Sequence, residues 1–94
     1  MIEVRQTAGG DPLQFAVTVN DDKGETRHVV TMTPATYQQL TGGRHSPARC
    51  IEAAIQFLLD REPKESILSR FDITAITHYF PEFEQELPAY LARG

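Results

Sequence analysis

The spacing of apolar residues changes its period once along the chain. Leu13, Phe15, Val17 and Val19 alternate with Gln14, Ala16, Thr18 and Asn20, a two-residue period that predicts a strand over 13–20 with one buried face. Asp21, Asp22, Lys23 and Gly24 come next as a turn in which Gly24 takes the left-handed position of a bulged hairpin loop. The next run, ETRHVVTMT over 25–33, is rich in β-branched residues and is the natural antiparallel partner. Ahead of both, Ile2 and Val4 alternate with Glu3 and Arg5 until AGGDP breaks the pattern. The N-terminal sheet is therefore a hairpin or, if residues 1–7 join it, three-stranded.

From Thr33 the period lengthens. Thr33-Pro34 opens a short helix near 34–41 with Tyr37 and Leu40 on one edge, and Gly42-Gly43 ends it. Ser46-Pro47 repeats that start for a helix at about 47–61. On a wheel of about 100° per residue, Arg49, Glu52, Gln56 and Asp60 share an arc roughly 80° wide. Cys50, Ile51, Ala53, Ala54, Ile55, Phe57, Leu58 and Leu59 take the rest of the cylinder, far more than one apolar stripe. This helix must be surrounded by protein. Arg61 suits its C-terminal end and Pro63 forbids simple continuation. Beyond it, Pro63 opens a helical turn with Ile67, Leu68 and Phe71 as apolar contacts. Asp72 caps a helix over 73–80, and Pro81 begins another, with Phe83 and Leu87 inward, that ends at Pro88. Such short helices are held by packing, and their role is to cover the central helix. The expectation is one α+β domain over 1–94, with sheet over about 1–33 and helices over about 34–91.

Composition narrows the function classes. With one cysteine among 94 residues, neither an intramolecular disulfide nor a cysteine-based zinc site can form within one chain. Cys50 reads as a small buried hydrophobe, with a reactive thiol as the alternative. No leader pattern opens the chain and no apolar run approaches the roughly 20 residues of a membrane span, so a cytoplasmic protein is expected. Arg5, Lys23, Arg27, Arg44 and Arg49 balance Glu3, Asp11, Asp21, Asp22 and Glu25, so the net charge of −4 lies entirely after Cys50. That placement argues against charge-driven nucleic-acid binding.

Little in the chain points to catalysis. The three histidines lie in different predicted elements with no pair at metal-ligand spacing. Glu62, Glu65, Asp72, Glu82, Glu84 and Glu86 read as an acidic surface before they read as paired carboxylates. There is no GxSxG, no phosphate-binding glycine loop and no nucleophile beside a base, so the expectation is a non-enzyme without cofactor or metal. Arg44 and His45 precede the central helix's N-terminus, where backbone N–H groups favour an anion, although a solvated linker is the plainer account of them. The remaining feature is the aromatic group Phe71, Tyr79, Phe80, Phe83 and Tyr90, interleaved with acids in HYFPEFEQELPAY. Either these rings seal the central helix, or some are exposed anchors for a basic protein partner, for which Tyr79, Phe83 and Tyr90 are the candidates.

Two resemblances accompany these readings. LTGG (40–43), FLLDREPKESILSRFD (57–72) and YFPEF (79–83) resemble a family of small uncharacterised bacterial proteins, which implies a bacterial cytosolic protein and brings no activity, cofactor or catalytic residue. Thr26 to Glu62 resembles the ribbon-helix-helix regulators, with a strand, a proline-started helix, a Gly-containing link and a Ser-capped helix. In those dimers the strand pairs with its twin and reads the major groove. That resemblance implies nucleic-acid contacts by Arg27, Val29 and Thr31 on one strand face or His28, Val30 and Met32 on the other, with Arg44 nearby. Against it stand the short first helix, the upstream strand competing for the pairing edge, and the acidic balance. Whether the chain is a monomer or a homodimer stays open.

Overall fold

A computed structural model describes residues 1–93. Four strands form one sheet in chain order: β1 (Ile2–Ala8), β2 (Leu13–Asp21), β3 (Gly24–Met32) and β4 (Arg70–Asp72). The first three are antiparallel neighbours, and β4 runs parallel to β3. The helices are α1 (Pro34–Thr41), α2 (Pro47–Leu59), α3 (Ala75–Tyr79) and α4 (Phe83–Ala92), with a single 3₁₀ turn at Lys64–Ser66. This is the α+β arrangement that the two periods predict, and the weak alternation at the N-terminus does form a third strand.

The alternation of β2 sorts its residues between two faces. Phe15, Val17 and Val19 are buried, as are Val30 and Met32 on β3, while Gln14, Ala16 and Thr18 are half-buried on the opposite face. Asp21 pairs with Gly24 across the hairpin, where Gly24 has φ +124° and the Asp21 carboxylate accepts the Lys23 N–H at 2.8 Å. A side chain would be strained at that φ, so glycine is needed there. Against the buried face lies α2, whose Cys50, Ile51, Ala53, Ala54, Ile55, Phe57 and Leu58 are all in the core. Ser46 Oγ accepts the Arg49 N–H at 3.1 Å and Pro47 occupies the first turn, the start expected from Ser-Pro. Thr33 caps α1 in the same way, and Gly42, left-handed at φ +64°, closes it by donating to Gln38 O at 2.7 Å.

Three expectations need correction. The stretch at 70–72, expected within the helical part, is a fourth strand of the sheet; three residues carry no readable period, and tertiary bonds place them. Ser69 O accepts from Val29 N–H at 2.8 Å, Ile73 N–H donates to Thr31 O at 2.9 Å, and Thr31 Oγ1 donates to Asp72 at 2.6 Å. The helix expected over 73–80 begins only at Ala75. Asp72, expected as its cap, instead accepts the backbone N–H and hydroxyl of Thr74 at 3.1 and 2.7 Å in a turn before the helix. Nor does Pro88 end the last helix. An interior proline costs ~3 kcal/mol through the lost hydrogen bond and the clash of its ring with the carbonyl four residues back, but Pro88 and Glu84 both face solvent. The freed carbonyl belongs to a residue on the solvent side, while Phe83, Leu87, Tyr90 and Leu91 stay buried and carry the helix through.

Lys64 joins the two layers at their ends. Its side chain is buried, and its ammonium lies 2.9 Å from Asp21 of the hairpin and also pairs with Glu65. The hydrogen bond from Lys64 holds both carboxyls below their ordinary values of 3.8 and 4.5. A carboxyl depressed in the folded state contributes stability that is complete above its unfolded pKa and is lost as pH falls through the folded one. Unfolding by urea at neutral pH and near pH 3 should therefore show a smaller acid-induced loss of stability in Lys64→Met than in the wild type. Separately, Ile55→Ala, at a site with no exposure, should cost about 2–5 kcal/mol by chemical denaturation.

Candidate functional site

Where the cover over α2 runs out, a groove opens. The end of α2 supplies Leu58 and the turn after it Glu62; the turn after Lys64 supplies Ile67 and Leu68; β4 supplies Phe71; α3 supplies Ala75, Ile76 and Tyr79, with Phe80 just after it. Leu58, Ile67 and Ile76 are core residues that form its floor. Its volume is about 320 Å³, at the lower end of the ~300–1,000 Å³ of pockets that take small ligands or side chains. Leu68 is 50% exposed and Tyr79 68% exposed, the two large apolar residues beyond Met1 that the fold leaves in solvent. Glu62, half-buried, is the charged group in the lining, and among the described residues no ion pair engages it.

The three proposed anchors are thereby separated. Tyr79 stands on the groove wall. Phe83, 1% exposed, and Tyr90, 6% exposed, lie in the core and cannot meet a partner. Proximity to acid and proline in the chain said nothing about helical phase, and α4 turns both rings towards α2. There they make edge-on contacts with Phe57 at 5.0 and 5.7 Å between ring centres. Tyr90 keeps its hydroxyl satisfied by donating to Asp60 at 2.6 Å. The sequence pattern marks Leu68, the second exposed wall residue, only as an apolar contact. The signal that could have singled it out is its place beside Ile67, since adjacent side chains of extended backbone point to opposite sides and Ile67 is extended.

The residues of the regulator reading do not form a site. β3 is flanked by β2 and β4, so it has no free edge for a twin strand. Arg27 lies on the open face of the sheet and pairs with Glu25 at 2.8 Å. His28 lies on the other face, buried, with Nδ1 donating to Leu68 O at 2.8 Å and Nε2 bonded to Thr26 Oγ1 at 2.9 Å. Arg44 is exposed in the link between α1 and α2. The helix start beside it is capped by Ser46, which already takes one of the free N–H groups.

Among the described residues no group of three or more His, Cys, Asp or Glu could hold a metal ion, and no helix is long and apolar enough to cross a membrane. No protein-family model, curated protein or solved structure matches the chain, so the groove is interpreted from its own geometry. Cys50 lies on the buried side of α2 with no exposure, and burial pushes its thiol up to about 11. The thiolate is the reactive species, so iodoacetamide near neutral pH should leave native Cys50 unlabelled and modify it fully in urea. Labelling of the native protein at the rate of the unfolded one would show that the core does not seal the thiol.

Proposed function

We propose that the protein is a small non-enzymatic interaction module of the bacterial cytosol, and that the groove between the end of α2 and α3 receives a basic amphipathic segment of another protein. The observation that carries this reading is the pair Leu68 and Tyr79, exposed on the wall of an apolar groove whose floor is core. Keeping such residues in water is unfavourable, and contiguous exposed apolar surface in a small domain favours a contact role. The bound segment would insert one large apolar side chain against Leu58 and Ile76. A Lys or Arg one helical turn away would reach Glu62 on the groove lining. The surrounding excess of acid after Cys50 would raise the on-rate for a basic partner more than its final affinity, which the buried anchor supplies.

Selection from a displayed peptide library against the full chain tests this directly. The expected winners carry an aromatic or long aliphatic residue three or four positions from Lys or Arg. Their affinity should fall at least about tenfold, roughly 1.4 kcal/mol, on Leu68→Ala with Tyr79→Ala, while Glu62→Gln should weaken basic peptides more than neutral ones. Winners with no basic residue, or winners indifferent to Leu68 and Tyr79, would refute the assignment. Far-UV circular dichroism of each variant separates lost binding from lost fold.

A further inference from the structure

The two edges of the sheet differ. β4 is three residues long and leads at once into the turn before α3, whereas β1 runs for seven residues and pairs only with β2. Met1 and Asn20 exchange both backbone bonds, amine to carbonyl at 2.5 Å and amide to carbonyl at 2.8 Å. In an antiparallel ladder such pairs recur at every second residue. Glu3 opposite Thr18 and Arg5 opposite Ala16 therefore turn their backbone groups towards β2. Ile2, Val4 and Gln6 turn theirs outward, and among the described residues no hydrogen bond from elsewhere reaches them. The side chains of Ile2 and Val4 continue the buried face of β2 yet are only half-buried themselves.

We propose that β1 docks antiparallel against β1 of a second copy of this chain, with the two Val4 residues facing each other at a two-fold axis. Two constraints set the register. Only Ile2, Val4 and Gln6 offer outward backbone groups, so these must face one another across the axis. Setting Val4 opposite Ile2 places Glu3 against Glu3, and setting Val4 opposite Gln6 places Arg5 against Arg5. Both arrangements juxtapose like charges, which is destabilising in a directly opposed pair. With Val4 opposite Val4, Glu3 of each copy meets Arg5 of the other, twice over, at the non-hydrogen-bonded positions where cross-strand side chains come closest. Both residues are exposed, and neither has an ion-pair partner among the described residues of one chain. Charges on an edge strand ordinarily keep copies apart; here their alternation is self-complementary in one register alone. The same pairing sets the half-buried Val4 residues of the two copies against each other, with Ile2 of each opposite Gln6 of the other. The irregularity between Gln6 and Ala8 ends the usable edge. The groove beside β4 lies at the far side of each sheet and stays open, so this inference is independent of its occupant.

Sedimentation of the full chain tests the proposal. The wild type should be a dimer. Glu3→Arg alone and Arg5→Glu alone should each raise the dissociation constant at least about tenfold, since both opposed pairs become like-charged. The double variant Glu3→Arg with Arg5→Glu should recover the dimer, because the pairs re-form with their signs exchanged. Val4→Pro removes an outward N–H and no bond to β2, so it should give a folded monomer by circular dichroism, which separates association from folding. A wild type monomeric up to about 100 μM, where a contact worth roughly 5–6 kcal/mol would be visible, overturns the proposal. So does a dimer indifferent to the single reversals, or a double variant that stays monomeric.

Discussion

Phe57 stands at the centre of the helical layer, and most of the chain beyond α2 is arranged on it. Phe80, Phe83 and Tyr90 approach its ring edge-on at 5.9, 5.0 and 5.7 Å, and the Arg61 guanidinium lies 3.6 Å from the ring centre on its face. From that position Arg61 reaches Glu82 at 3.1 Å and Glu86 at 2.7 Å, which ties the start of α4 to the end of α2. At the other end of the seam Arg49 donates to the carbonyls of Tyr90 and Leu91 at 2.6 and 3.3 Å, filling the acceptors that a helix C-terminus leaves open. One aromatic ring and two arginines thus fix both the position and the direction of α4. That is how a ten-residue helix with an internal proline, too short to persist alone in water, is held.

The groove is a consequence of the same economy of chain. The sheet covers one side of α2 and α4 covers the next. What remains near Leu58 falls to α3, which has five residues and so spans only about 7.5 Å. An element of that length cannot bury its own apolar side and also roof the end of α2. Leu68 and Tyr79 are left standing at the gap, and Ile67 and Ile76 form its base. Exposure at this place therefore reflects how much chain is available to cover the central helix, and the sequence spends apolar residues there that solubility alone would not favour.

Fold class and the central helix were determined by the sequence itself. The two-residue period over 13–20, the β-branched run over 25–33, the Ser-Pro and Thr-Pro starts and the narrow polar arc of 47–61 depend on local geometry, and local geometry is what neighbouring residues dictate. The polar arc was legible as a stripe but not as a seam. Arg49, Glu52 and Gln56 turn out half-buried: Arg49 reaches the carbonyls of Tyr90 and Leu91 on α4 and pairs with Glu52, while Gln56 Oε1 is buried without a hydrogen-bond partner among the described residues. Only the tertiary structure decided the elements whose signals are non-local. The three residues of β4 are a strand because β3 offers them an edge, α4 passes Pro88 because its buried contacts outweigh one lost bond, and Phe83 and Tyr90 are core while Tyr79 is not because their phase on a helix depends on where that helix docks. The groove belongs to this second class, since its lining comes from four segments that the chain separates and only packing brings together.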